Sequence, residues 1–207
     1  MLKKIFGNLF KNKEEETEPE VLGNYIVATL NDKIMPMTRG DVYEDPLDEF
    51  LKKMNYGEVT GGGTLQQETG EIEYCDIEIC LNSDQIDQEV IKQIIKKLEE
   101  LGAPKGSTLL IEKTEEKIPF GVNEGLAIYL DGINLSDEVY KNSDSEAIAV
   151  EICRLTNIKS EVLRYWNGNT ETALYFYDHS FEKMHKSIEN FVKTNPECEN
   201  ARIVQIA

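Results

Sequence analysis

The sequence predicts an α+β protein in which one order of strands and helices occurs twice. Two long stretches and one short match carry that expectation. Residues 71–112 read EIEYCDIEICLNSDQIDQEVIKQIIKKLEELGAPKGSTLLIE: an alternating strand, an amphipathic helix, a Gly-Pro-Gly turn and a second strand. Residues 170–207, TETALYFYDHSFEKMHKSIENFVKTNPECENARIVQIA, repeat that order. Asp41-Val42-Tyr43 and Glu138-Val139-Tyr140 stand at matching places in the two halves. Together these features imply an internal duplication of about 85 residues.

Taken in order, residues 1–10 (MLKKIFGNLF) place Leu2, Ile5, Phe6, Leu9 and Phe10 at helical spacing, with Lys3, Lys4, Lys11 and Lys13 outside the stripe. A glutamate run around Pro19 follows, so residues 1–22 read as an amphipathic basic segment on an acidic, solvated tether. Asn24 to Asn31 has the β-branched and aromatic content of a strand. After a loop, Asp45-Pro46 offers a cap and a first-turn proline for a short helix with Leu47, Phe50, Leu51 and Met54 inward, ending near Asn55.

Residues 58–67 hold Gly61-Gly62-Gly63, which suits a bulge or a close backbone approach better than a phosphate loop, since no Walker pattern follows. The turn at Glu68-Thr69-Gly70 leads into the strand Glu71 to Leu81. There Cys75, Ile77, Ile79 and Leu81 point to one face, and Tyr74, Asp76 and Glu78 to the other. A helix is expected from about Ser83-Asp84 to Gly102 on Ile86, Val90, Ile91, Ile94, Ile95, Leu98 and Leu101, then a strand over 107–112.

Residues 114–123 read as a connection. Gly125 to Asp131 is the next strand, and Ser143 to Glu146 is a capping box opening a helix with Ile148, Ile152 and Leu155 inward. Ser160 to Trp166 and Thr170 to Tyr177 form a hairpin, Ser180 caps a helix carrying Phe181, Met184, Ile188 and Phe191, and 201–206 is the last strand.

This βαββαβ order, given twice, resembles the ferredoxin-like superfold. The resemblance covers nearly everything after residue 22, and no residue motif ties it to one characterised family. It implies repeats over 23–113 and 125–207, joined by 114–124, each with an antiparallel sheet. The superfold hosts enzymes, regulators and nucleic-acid binders, so it does not select a function.

The formal charge of −17, from 39 acidic and 22 basic residues, opposes nucleic-acid binding and favours cationic partners. Cys75, Cys80, Cys153 and Cys198 lack CxxC spacing, which fits a reducing cytoplasm, and Cys198, in a polar loop, reads as the exposed thiol. No apolar run approaches the roughly 20 residues of a membrane span. His179 and His185 read as solvent-facing, and neither a metal nor a cofactor site is expected.

The residues singled out for binding are those on the sheet faces that helices leave open. Asp76 and Glu78 belong to the first half, and Tyr129, Tyr175 and Tyr177 to the second. Arg164 and Trp166 join the tyrosines if residues 167–168 make a tight turn, and go to the helix side if the loop has three residues. Faces turned toward each other would enclose a cleft or form an interdomain core.

Two functions follow as expectations. The first is a non-catalytic cytoplasmic binding protein that recognises a basic protein partner, as a small bacterial immunity or regulatory protein does. The second is a small-molecule sensor or enzyme using a cleft between the repeats. Residues 1–13 are additionally expected to give weak contact with a membrane surface or a partner groove.

Overall fold

The computed structural model describes residues 24–83, 85–159 and 162–207. The expectations for residues 1–22, the helix start at Asp84 and the strand start at Ser160 lie outside them. The chain is α+β, with two antiparallel sheets of five and four strands.

The first sheet is built on β1 (Asn24–Leu30), whose alternate residues Ile26, Ala28 and Leu30 are fully buried. β2 (Gly57–Gln66) and β3 (Ile72–Leu81) form a hairpin, and β4 (Ser107–Ile111) and β5 (Glu116–Phe120) lie on the other side, giving the order β2-β3-β1-β4-β5. Its helical cover comprises α1 (Pro36–Arg39), a π-helical turn (Gly40–Glu44), α2 (Asp45–Met54) and α3 (Gln88–Glu100). Ile91, Ile94 and Leu98, spaced three and four apart, bury against Ile77, Ile79 and Leu109.

The second sheet has the order β7-β8-β6-β9: β6 (Glu124–Asp131), β7 (Arg164–Asn167), β8 (Glu171–Asp178) and β9 (Arg202–Gln205). α4 (Asp137–Asn142), α5 (Ser145–Thr156) and α6 (Phe181–Thr194) complete this half. Leu126, Ile128, Leu174 and Phe176 form a core with Ile148, Ile152, Met184 and Ile188.

The structure differs from the expected elements at several points. Helix begins at Pro36 rather than Asp45, because proline fixes a first turn there and the π-helical turn runs straight into α2; no side chain caps α2, and Met54 is 43% exposed. α3 starts four residues late, at the cap Asp87, whose Oδ1 accepts from the Glu89 amide. Residues 116–120 are a strand: Ile118 and Phe120 reach the core, and Pro119 is tolerated because β5 is an edge. In the second half Asp144, not Ser143, caps α5, accepting from the Glu146 and Ala147 amides. Cys198 is buried, in a 3-10 turn against the second core, and its burial pushes the thiol up to about 11.

Candidate functional site

The open face of the second sheet carries Ala127, Tyr129, Ala173 and Tyr175, all buried, with Trp166, Tyr177, Val204 and Ile206 around them. Register places Arg164 opposite Tyr175 and Trp166 opposite Ala173, so both share the face of the tyrosines. The β7–β8 loop allows this because Gly168 has no Cβ, which would lie 2.2 Å from the Trp166 ring.

This face does not meet the open face of the first sheet. It packs against the end of that sheet, where β1 runs out into Asn31-Asp32-Lys33 and where the β2–β3 hairpin turns. Asp32, with 0% exposure, accepts two hydrogen bonds from Arg164 (Nε 2.7 Å, Nη2 2.9 Å) and one from the Tyr43 hydroxyl (2.8 Å). Glu71 Oε1 accepts from both Tyr129 and Tyr175, each at 2.8 Å. The Tyr177 hydroxyl accepts from the Lys33 amide (3.0 Å) and donates to the Asn31 carbonyl (3.4 Å). Trp166 Nε1 donates to the Thr69 carbonyl (3.1 Å).

Burial raises the phenol pKa values of Tyr175 and Tyr177, and raises that of Tyr129 to about 12. The Glu71 carboxylate adds to the shift at Tyr129 and Tyr175, since it would repel a phenolate. Burial lowers the Lys33 ammonium, whose Nζ donates to the Ile72 carbonyl (2.6 Å), while Glu71, Glu73 and Asp32 pull it back up. Arg202 lies 3.6 Å from the Tyr129 ring centroid and is held there by a two-point bond to Glu171 (2.9 and 3.0 Å). Every hydroxyl of this tyrosine set therefore has a partner, as a packed junction requires.

Five of the seven residues singled out from sequence, Tyr129, Arg164, Trp166, Tyr175 and Tyr177, come together here. Asp76 and Glu78 do not join them. They stand on the open face of the first sheet, which the second half leaves uncovered by docking at the strand ends. The partners are Asp32, Lys33, Tyr43 and Glu71, none of them among the expected residues. Tyr43 had a signal, the Asp41-Val42-Tyr43 match: its counterpart Tyr140 likewise turns back to the end of the first strand of its half, donating to the Asp131 carbonyl at 3.4 Å. Asp32 and Glu71 had none, since a carboxylate at either end of a strand reads as solvated.

On the open face of the first sheet the cross-strand rows are Gly61–Glu78–Val27–Leu110 and Gly63–Asp76–Thr29–Thr108, with Leu65 beside Tyr74. Among the described residues Asp76 Oδ1 is buried with no hydrogen-bond partner, and Glu78 Oε1 accepts from the Thr60 hydroxyl at 2.7 Å. A Cβ added at Gly61 or Gly63 would meet nothing within 4 Å, so bare backbone flanks both carboxylates. Gly62 faces the helices, where Arg39 binds Glu44, the Gly63 carbonyl and Thr64.

A groove of about 280 Å³ opens between α5 and β7 beside this junction, lined by Val150, Cys153 and Leu163 and by the junction residues Arg164, Tyr175 and Tyr177. Among the described residues no group of three or more His, Cys, Asp or Glu side chains is arranged to hold a metal ion.

No protein-family model matches the chain, and no curated protein does. Among solved structures, an unknown protein from Galdieria sulphuraria aligns over 88% of this chain and 96% of its own, at 8% identity and TM-score 0.27. A putative monooxygenase from Fusobacterium nucleatum subsp. nucleatum aligns over 89% and 92%, at 12% identity and TM-score 0.28. At those scores neither likeness bears on chemistry.

Proposed function

We propose that this is a non-catalytic, cytoplasmic interaction protein whose open first-sheet face recognises a basic polypeptide. The observation that carries the reading is the position of Asp76 and Glu78: they stay outside the junction, beside backbone that Gly61 and Gly63 leave bare. Charge supports it. No Lys or Arg occurs from Met54 to Ile91, a stretch with nine carboxylates that supplies β2 and β3. A cationic side chain laid over the glycines would lie against the Asp76 and Glu78 carboxyl groups together.

As part of the same proposal, each half is a ferredoxin-like βαββαβ unit, with β5 appended to the first. Supporting this, the orders β2-β3-β1-β4 and β7-β8-β6-β9 follow one pattern. The register Ile77–Ala28–Leu109 also has its counterpart in Leu174–Ile128–Ile203.

Calorimetric titration of the full chain with a lysine- and glycine-rich peptide tests the binding reading. Binding should weaken as salt rises and fall roughly tenfold or more in the Asp76→Lys, Glu78→Lys double variant. Equal binding by the native and double-variant chains would overturn it.

The groove between α5 and β7 favours a second reading, a small apolar ligand, because Val150 is 65% and Leu163 39% exposed at its rim. Native mass spectrometry of the purified chain distinguishes the two: a retained small molecule, lost on Val150→Glu, supports the groove.

A further inference from the structure

We propose that the chain's own residues 1–13 dock on the open face of the first sheet, occupying in cis the surface assigned above to a basic partner. The inference rests on that reading of the face. Its first support is chemical fit. The face combines half-buried Val27, Tyr74 and Leu110 and the 41% exposed Leu65 with the carboxylates Asp76 and Glu78. The segment combines Leu2, Ile5, Phe6, Leu9 and Phe10 with Lys3, Lys4, Lys11 and Lys13, and so presents apolar and cationic groups together. Both have apolar groups to bury, and their charges are opposite.

The second support is connectivity. The segment joins the fold at β1, the central strand of the five, so its attachment lies in the middle of the sheet it is proposed to cover. Asn24 is also at the opposite end of β1 from Asn31 and Lys33, where the second half docks, so the approach from Asn24 is not blocked by that half. Residues 14–23 can extend roughly 33 Å, more than the roughly 20 Å that five strands span. Being attached also raises the effective concentration of the segment at the face to about the millimolar range, which favours it over a free peptide of equal affinity.

The third support is charge. Without the four lysines the rest of the chain has 22 − 4 = 18 basic against 39 acidic residues, a formal charge of −21. An anionic lipid surface is repelled by that body, whereas the acidic sheet face is part of it and attracts the same lysines.

The test is photocrosslinking in the full chain, with a benzophenone-bearing phenylalanine replacing Phe6. The expected result is an intramolecular crosslink to the peptides holding Val27, Tyr74 or Leu110. Its yield should fall roughly tenfold in the Asp76→Lys, Glu78→Lys variant and drop when the lysine- and glycine-rich peptide is added. Crosslinks to the α2–α3 helices, to the α5–β7 groove or between two chains would overturn the inference. So would transfer of the crosslinks to lipid on adding phosphatidylglycerol vesicles at physiological salt. If crosslinks miss the face while the added peptide still binds there, cis docking alone fails. If crosslinks reach the face while charge reversal leaves the peptide's affinity unchanged, the partner reading alone fails.

Discussion

Arg164 and Asp32, 132 positions apart in the chain, form a two-point ion pair at 2.7 and 2.9 Å that ties β7 of the second half to the end of β1 in the first. The side chains are 11% and 0% exposed, and Tyr43 gives Asp32 a third hydrogen bond. A buried charge that loses its only counter-charge stays desolvated, whereas a pair replaced as a unit leaves no charge behind. Asp32→Ala should therefore cost about 3–5 kcal/mol, and the double replacement Asp32→Leu, Arg164→Met should cost less than Asp32→Ala alone. Urea unfolding of the set checks this; additive losses would show that the two residues act independently.

Glu71 is the shared acceptor of Tyr129 and Tyr175, so losing one donor and losing the acceptor are unequal events. Tyr175→Phe removes one hydrogen bond and should cost about 0.5–1.5 kcal/mol, while Glu71→Ala strands two hydroxyls and should cost more than twice as much. Thermal unfolding would rank the two.

The same hydroxyls make stability sensitive to alkali. Burial, reinforced by Glu71, raises the folded-state pKa of Tyr129 to about 12, against the ordinary 10.0 of the unfolded chain. A raised folded pKa means that the contribution is fully present below pH 10 and is lost as pH rises toward 12. Stability should thus decline above pH 10, and less steeply in Tyr129→Phe. Unfolding free energies measured from pH 8 to 11.5 would show it.

The three consecutive glycines of β2, Gly61 to Gly63, should respond differently to a methyl group. At Gly62 a Cβ would lie 2.7 Å from the Asp76 carbonyl and 2.8 Å from Arg39 and Glu44, whereas Gly61 and Gly63 face open space. Gly62→Ala should destabilise by about 1–3 kcal/mol. Gly61→Ala and Gly63→Ala should be neutral or stabilising by about 0.4–1 kcal/mol. Similar losses at all three positions would contradict the geometry.

Native-state thiol labelling should modify Cys80 and Cys153, both partly exposed, well before Cys75 and Cys198, which are buried. Burial raises the thiols of Cys75, Cys198 and Cys153 alike, so exposure sets the order. Mass spectrometry of partly labelled protein reads the order directly.

Periodicity determined much of this protein. Alternation along Ile26–Ala28–Leu30 and Cys75–Ile77–Ile79, and helical spacing in Ile91–Ile94–Leu98 and Met184–Ile188, name the core and the sheet faces, because each side chain's direction is set by its own backbone. Periodicity does not fix where a helix begins when proline and a π-helical turn extend it, as at Pro36. Nor does it show that residues 116–120 pair with β4, since edge pairing depends on a neighbour distant in sequence.

The sequence also brings Tyr129, Tyr175 and Tyr177 onto one face, but it is silent on what that face meets. Only the tertiary structure decided that the face covers a strand end, choosing Asp32 and Glu71 as partners and leaving Asp76 and Glu78 outside. The reason is geometric: direction within a strand is a local property, whereas the docking of one sheet on another follows from the fit of whole surfaces.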